Sequence, residues 1–403
     1  MSTEKFSVKQ ILNMESCTRC GECTELCSAY MGSKDLKLSP PKKIELLKKR
    51  IWNKSIFGKL LGKKDLSEKE MEELLRSAYS CTLCSRCEVN CPINIDLKDM
   101  WISLRENMVS EERAPEQLEL LRERLMKAKN ISFDTNEGRT DWIKPVPEVP
   151  ENMYIKKSAK VIYFVGCVSS FSPRTFKIPR SIVQILQSAE VDFGLLGDDE
   201  WCCGFPLMSS GFAKDFEEFA VHNIKKVNNT GARILVTACP SCYHMWSHIY
   251  PGAVKDIKMN FKVLHMVQYL YMLAKDGKIK LNPVESKVTY HDPCDLGRNS
   301  GIYDEPRDLI KMIPGVEFVE LENNKEYATC CGGGGNVESI DTELSSNIAS
   351  IKAKEIIATG ADIVITACQQ CVRTIATGLK KEKSRIKAVD LSQLVLDSIK
   401  AGS

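Results

Sequence analysis

Eighteen cysteines occur in this 403-residue chain in four blocks, and none stands outside them. The first eight form two identical runs, Cys17, Cys20, Cys23, Cys27 and Cys81, Cys84, Cys87, Cys91, each spaced C-x2-C-x2-C-x3-C, with Pro92 after the second. The other ten repeat a different pattern. Cys167 is followed by 34 residues, the pair Cys202-Cys203, 35 residues and Cys239-x2-Cys242; Cys294 is followed by 35 residues, Cys330-Cys331, 36 residues and Cys368-x2-Cys371. The repeat extends beyond sulfur: Lys160 to Cys167 (KVIYFVGC) matches Lys287 to Cys294 (KVTYHDPC), Trp201 to Gly204 matches Thr329 to Gly332, and Gly231 to Cys242 matches Gly360 to Cys371. Lys262 to Gln268 is weakly echoed in Lys387 to Gln393. An offset of 127 to 129 residues between matching cysteines marks one fold used twice, with its two sites expected about a shared pseudo-two-fold axis.

In a short secreted chain, so many cysteines would mean disulfides. Here no charged-then-apolar leader opens the sequence at Met1 to Phe6, so the chain is expected among reducing thiol pools, where clustered thiolates hold metal. Three thiolates at short, equal intervals wrap one loop round three irons of a cube, and the fourth, a helical turn on, points elsewhere. In two-cluster ferredoxins that fourth cysteine serves the other cube. The reading is one cubane [4Fe-4S] cluster on Cys17, Cys20, Cys23 and Cys91, and a second on Cys81, Cys84, Cys87 and Cys27. Zinc is the competing reading, but it prefers two separated C-x2-C pairs that close a tetrahedron.

Apolar and charged residues alternate at helical spacing over Pro41 to Trp52, Leu66 to Ala78 and Pro115 to Lys127, with Ser67 and Glu70 placed as a capping box. The 53 residues between Cys27 and Cys81 are too many for a small hairpin ferredoxin. Residues 1–130 are therefore expected to be an α-helical ferredoxin domain. Residues 131–159, with the run Pro145-Val146-Pro147-Glu148-Val149-Pro150, read as a semi-rigid extended linker. Residues 160–282 and 283–403 then form two modules in which β-branched runs, such as Ile234 to Ala238 and Ile363 to Ala367, alternate with helices, such as Ile178 to Ala189 and Ser345 to Thr359. That alternation predicts mainly parallel sheets, giving an α+α/β multidomain fold. Cys167, Cys239, Cys294 and Cys368 all fall at C-terminal strand ends, where such sheets build sites. Gly204 and Gly332 to Gly335 follow the paired cysteines, where a missing side chain lets backbone N–H groups approach cluster sulfides. The glycine run matches no phosphate-loop pattern.

The doubled pattern resembles the cysteine-rich CCG repeat of the heterodisulfide reductase catalytic subunit. Its fusion to a two-cluster ferredoxin resembles that family's D-type subunit, over almost the whole chain and all eighteen cysteines. The resemblance implies a non-cubane [4Fe-4S] cluster on Cys167, Cys202, Cys203, Cys239 and Cys242, and another on Cys294, Cys330, Cys331, Cys368 and Cys371. It also implies that a disulfide of the CoB-CoM heterodisulfide kind is reduced between them, the ferredoxin cubanes acting as the wire. Disulfide cleavage takes two electrons, one for each sulfur from two clusters that pass one each. One departure stands out: the reductases usually read HDPCHLGR, whereas this chain has Asp295 within His291 to Arg298, which removes a possible proton donor or substrate contact. Proteins with the same layout serve as electron-transfer subunits of flavin dehydrogenases for glycolate, lactate or glycerol 3-phosphate, of quinone-linked complexes, or of acyl-CoA reductase systems. Some of those have a damaged repeat; both repeats are intact here, which favours a reductase-like oxidoreductase while leaving the electron-transfer subunit as the alternative.

His291 and Arg298 flank Cys294 and are candidates to orient a substrate anion or donate a proton; a backbone-satisfied histidine and a surface arginine are the plain alternative. His244 and His248 have metal-binding spacing, but with ten thiolates at hand they read as surface or supporting groups, and Trp201 reads as packing that keeps Cys202 dry. Lys42 to Lys64 carries nine Lys or Arg against one acid, interleaved with Trp52, Ile56, Phe57, Leu60 and Leu61. Such a stretch suits an anionic lipid surface or an acidic partner, or it is a helix pair with a solvated face. A net charge of +3 gives no reason to expect nucleic acid, and no apolar run approaches the ~20 residues of a membrane helix. With no dinucleotide or flavin motif, the chain needs a flavoprotein, a cytochrome b-type membrane subunit or a hydrogenase-type partner. It is expected in the cytosol or, through a partner, at the inner face of the membrane.

Overall fold

The β-branched runs become parallel strands in two matched sheets. The computed structural model describes residues 6–144 and 154–402. In it, β1 (Val161–Phe164), β2 (Phe193–Gly194), β3 (Ile234–Thr237) and β4 (Lys262–His265) lie in the order β2-β1-β3-β4. The second sheet, β5 (Ser286–His291), β6 (Val316–Val319), β7 (Ile363–Thr366) and β8 (Lys387–Asp390), has the order β6-β5-β7-β8. All pairings are parallel, and the register repeats: Tyr163 lies opposite Val236 as Tyr290 lies opposite Ile365. The weak echo of Lys262 to Gln268 has a physical root. His265 and Asp390 end β4 and β8, and each closes a capping box, with Gln268 and Gln393, on the helices Met266–Lys275 and Leu391–Lys400.

The two modules are joined reciprocally. Helix Lys177–Ser188 of the first packs on Leu391–Lys400 of the second, and Met266–Lys275 of the first packs on Asp304–Lys311 of the second. Each contact pairs the helix after a first cysteine with the last helix of the other repeat, which is a pseudo-two-fold arrangement. Ile182, Leu186, Leu270, Leu309, Leu394 and Val395 share the resulting core.

The N-terminal part is helical, as its periodicity requires: Pro40–Lys54, Glu68–Tyr79 with the Ser67 and Glu70 capping box formed, Leu97–Ser110 and Glu116–Ala128. Leu47, Leu74, Met100, Leu104 and Met108 bury into one core with Leu207, Phe212 and Phe216 of the first module. The second module meets it too, through helix Ser28–Ser33 on Thr342–Ala358. A Cβ on Gly32 would stand 2.8 Å from Ile348 Cγ1. Among the described residues no helix is long and apolar enough to cross a membrane.

The described part of the expected linker is not extended. A 3-10 helix, Asn136–Ile143, buries Arg139, Trp142 and Ile143, and the fully buried Asn130 closes the turn before it, its amide donating to the Ala128 and Asp134 carbonyls. The cause is Arg139, which enters the first module to meet Glu200 at 2.7 Å. The Pro145 to Pro150 run lies outside the described residues.

The glycine run divides its work. Gly332 N donates to Cys330 Sγ at 3.3 Å, whereas Gly334 and Gly335 lie against the backbone of Cys81 and Thr82 in the ferredoxin part, a Cβ on Gly334 reaching Thr82 O at 2.5 Å. Gly335 also has φ +60°. A Gly335→Val change meets both the left-handed backbone and the Cys81 carbonyl, and should cost about 2–4 kcal/mol. The lowered thermal midpoint of anaerobically isolated protein measures it; an unchanged midpoint would show that the two surfaces do not meet here.

Candidate functional site

Cys27, Cys81, Cys84 and Cys87 line one small cavity with Lys43, Arg86, Lys98 and Trp101, so the structure places Cys27 with the second run. Burial, then Cys81, pushes the Cys27 thiol up to about 11. Cys17, Cys20 and Cys27 neighbour Cys23, where burial, then Cys17, raises the thiol to about 12. Helix Arg86–Val89, which leads to Cys91, packs on Glu22–Leu26 between the first run's last cysteines. This outer set lies at the surface, with Cys20 exposed.

The repeat thiols converge at the strand ends. In the first module Cys167 meets Cys202, while Cys203 has Cys202, Cys242 and Cys239 around it. In the second, Cys294 neighbours Cys330, Cys330 neighbours Cys331, and Cys371 Sγ lies 3.4 Å from Cys331 Sγ with Cys368 beside it. Two links join the sets: Cys368 neighbours Cys239 across the modules, and Cys84 of the ferredoxin part neighbours Cys330 and Cys294. A cavity of 370 Å³ opens between the modules, lined by nine of the ten repeat cysteines; the tenth, Cys330, faces Cys84 instead.

Several residues that hold this site carry no motif. Glu200 accepts the Val165 and Gly166 N–H groups at 2.9 and 2.8 Å and pairs with Arg139, whose guanidinium reaches Cys167 Sγ at 3.5 Å. The second module fixes the same strand exit differently, through the bidentate pair of Asp292 with Arg307 at 2.7 and 2.8 Å. Arg105 is fully buried, and its five hydrogen bonds reach only the carbonyls of Ala78, Cys81, Ser209 and Gly335. It thereby joins the ferredoxin part to both modules.

His291 lies behind the second thiol set: one of its ring nitrogens and the sulfurs of Cys331 and Cys371 lie within 4.8 Å of one another. Burial pushes it down to about 3, and neither ring nitrogen has a partner. Its counterpart in the first module is the buried Phe164. Arg298 is not brought to the cavity lining. Its guanidinium donates to the Cys84, Glu326 and Ala328 carbonyls at 2.6, 3.0 and 2.8 Å, tying the second module to the ferredoxin loop. Asp295 does line the cavity, held by Ser241 at 2.6 Å, Asn299 at 2.7 Å and Lys98 at 3.4 Å. Burial works against its charge, but Lys98 and His244 keep it below the usual carboxylate range, so it remains an acceptor. Burial, then Lys98, lowers His244 to about 4. Trp201 stacks on His222 at 3.6 Å under Lys129 and so acts as packing.

The donor set fits iron-sulfur clusters. It is dominated by sulfur, with His291 beside Cys331 and Cys371, gathered in compact groups and supplied with backbone N–H groups, Cys371 N lying 3.3 Å from Cys368 Sγ. Gly166 leaves open the space in which a Cβ would stand 3.3 Å from Cys242 Sγ, and buried cations stand close by.

Comparisons with known proteins agree with this geometry. The family model of the cysteine-rich domain, CCG, matches residues 161–247 and 288–376, and that of the 4Fe-4S dicluster domain matches residues 13–95. The chain is 31% identical to the D-type subunit of the dihydromethanophenazine:CoB--CoM heterodisulfide reductase of Methanosarcina mazei, over 99% of this chain and 97% of that one. It is 27% identical to an EtfAB:quinone oxidoreductase of Syntrophomonas wolfei, over 97% of this chain but 59% of that longer one. A crystal structure of a hypothetical protein from Helicobacter pylori shares the fold, with TM-score 0.56 and 11% identity, covering 96% of this chain and 74% of that one.

Replacing Arg105 with Leu leaves four buried carbonyls without their donor. The expected cost is about 3–5 kcal/mol, read as a lower unfolding midpoint, with Arg105→Lys in between. Equal stability of the Leu variant and the parent would refute the role.

Proposed function

This chain belongs to the CCG-domain iron-sulfur family of the D-type heterodisulfide reductase subunits, and on that premise we propose that it reduces a disulfide held between its two repeats. An iron-sulfur electron-transfer role comes with family membership. The finer reading assigns two cubane clusters to residues 1–130 and one non-cubane cluster to each of the modules 160–282 and 283–403. When bound, these clusters supply electrons one at a time at the sulfur-lined ends of the repeats.

One observation carries the disulfide reading: both repeats open their cysteines into the same 370 Å³ cavity. A disulfide R-S-S-R′ takes two electrons and two protons, its S–S bond breaking to give two thiols; solvent supplies the protons. The chain's own residues hold the substrate. Gln369 and Ser169 line the cavity, and the Gln369 amide and Ser169 hydroxyl, buried and without a partner, would bond it on turning toward the cavity. Asp295, kept as a carboxylate, accepts from Ser241 in the cavity lining and pairs with Lys98, which lines the ferredoxin cavity. The family's relatives are subunits of oxidoreductase complexes, so a partner is expected to feed electrons in at the exposed Cys20 face. The relay reading, in which the four clusters only pass electrons between a flavoprotein and another acceptor, has the EtfAB:quinone oxidoreductase as its relative.

Anaerobically isolated protein should contain about sixteen irons per chain, four for each of four clusters. Cys27→Ser should lower this to about twelve and remove one cubane signal from the electron paramagnetic resonance spectrum. Zinc without iron would sink the scheme.

The activity test supplies dithionite-reduced viologen and a mixed disulfide of two thiol coenzymes. Dye oxidation with release of two thiols per disulfide is expected, and Gln369→Leu should lower kcat/KM roughly tenfold. No turnover with disulfides, together with rapid electron exchange with a co-purifying flavoprotein, would replace this reading with the relay.

A further inference from the structure

The helix Pro40–Lys54 ends in a tight corner. Ser55 caps the short helix Ile56–Leu60, its Oγ accepting from Gly58 N at 3.1 Å. Gly58 is buried against the Trp52 and Asn53 carbonyls, where a Cβ would overlap both. Lys63 N donates to Gly58 O at 2.9 Å, and the Asn53 amide donates to the Lys64 carbonyl at 2.8 Å. The corner is thus a rigid backbone knob, fixed before anything binds it.

What the knob displays is unusual for a surface. Within six residues Ile56, Phe57, Leu60 and Leu61 are 76, 68, 78 and 67% exposed, with Trp52 at 53% one turn earlier. Scattered apolar residues are normal on a surface, but a contiguous group of this kind marks an interaction site. Around it stand Lys59, Lys63 and Lys64, exposed, and no ion pair among the described residues engages them. The acid next in the chain, Asp65, is turned toward Arg50 and Lys54 at 3.5 and 3.8 Å. The apolar tips are therefore ringed by uncompensated positive charge.

We propose that this corner seats the protein on an anionic lipid bilayer, with Ile56, Phe57, Leu60 and Leu61 entering the headgroup boundary and Lys59, Lys63 and Lys64 meeting lipid phosphates. Lipid fits better than a protein surface because the apolar side chains stand 67 to 78% exposed with exposed lysines among them, and because aromatic and aliphatic tips among lysines are the composition of interfacial segments. The seat is also placed to be useful. On the same helix Lys48 bonds the Glu15 carbonyl and carboxylate at 3.3 and 3.4 Å, two residues before Cys17. A bilayer under the knob would therefore hold the outer thiol set beside membrane-borne electron carriers. The inference is independent of the disulfide reading, since vesicle binding needs no turnover.

The test is co-sedimentation of the cluster-loaded full chain with phosphatidylcholine vesicles, with and without phosphatidylglycerol. Binding is expected only to the anionic vesicles, weakening as salt rises. Phe57→Ser/Leu60→Ser and Lys63→Glu/Lys64→Glu should each lower the partition coefficient by about tenfold, with iron content unchanged because all four side chains are exposed. Absence of binding to anionic vesicles, or equal binding by the parent and both double variants, would overturn the proposal. So would self-association in gel filtration that Phe57→Ser/Leu60→Ser abolishes, which would make a second copy the occupant.

Discussion

A fully buried guanidinium that meets only carbonyls has to be compensated by something other than its hydrogen-bond partners. Arg105 reaches the carbonyls of Cys81 and Gly335, and so stands directly behind the ferredoxin thiols at the point where the second module docks. Burial alone would favour its neutral form, and the largest opposing influence is the neighbouring Cys81 sulfur, which would carry negative charge as a cluster ligand. The same arrangement recurs around the inner sulfur set. Lys43 lies over Trp101 at 4.5 Å in the cavity of Cys27, Cys81, Cys84 and Cys87, Arg86 lines that cavity, and Arg298 bonds the Cys84 carbonyl. Sulfur and cation are partners here: once these cysteines give up their protons as cluster ligands, their charge would offset the buried arginines and the arginines would offset theirs.

This exchange of charge also explains why two repeats with one fold are not one site copied twice. Each must hold its first cysteine at a strand exit, and each uses an arginine and a carboxylate, yet the carboxylates come from different places. Glu200 precedes the cysteine pair of the first repeat; Asp292 precedes the first cysteine of the second. The position of Phe164, an apolar ring against Trp246 at 5.5 Å, becomes His291 beside Cys331 and Cys371. Among the described residues, the second repeat presents Cys330 and Cys294 to the ferredoxin thiol Cys84. The pseudo-two-fold axis relates the scaffolds, and the ferredoxin part breaks it.

The difference between what is legible in the sequence and what is not follows from the range of the interactions. Strand ends, cysteine grouping, the Ser67 cap and the paired sheets rest on local spacing, on short β-branched runs and on a period of 3.6, which a sequence displays directly. Arg139 and Glu200 stand 61 residues apart and share no counterpart in the second repeat, so neither repeat comparison nor motif could join them. The same holds for Arg105, one arginine in an ordinary amphipathic helix until the fold sets four carbonyls round it. The stretch 131–144 reads as linker because its polar residues and glycine punctuate a chain well; buried, Asn130 and Arg139 use those polar groups as ligands for backbone and carboxylate. Arg298 misleads in the opposite way, since proximity to Cys294 in sequence suggests a substrate contact, whereas its reach carries it to the ferredoxin loop.

The crowded thiols finally bear on how such a chain can become whole. Cys23, raised to about 12, and Cys27 and Cys330, raised to about 11, hold their protons at neutral pH, and burial and neighbouring sulfur are among the causes. Cys203, lowered to about 6 by hydrogen bonding from Cys202 and Cys242, is the thiolate that such crowding leaves behind. A metal ligand must be deprotonated, so filling these sets expels protons and is favoured as pH rises and weakened as it falls. Cys84 and Cys330, where the ferredoxin part meets the second module, are among the thiols that resist ionisation, with neighbouring sulfur and burial among the causes. Metal loading and domain docking therefore draw on the same buried sulfur, and the glycines that let Cys81 and Thr82 approach serve both.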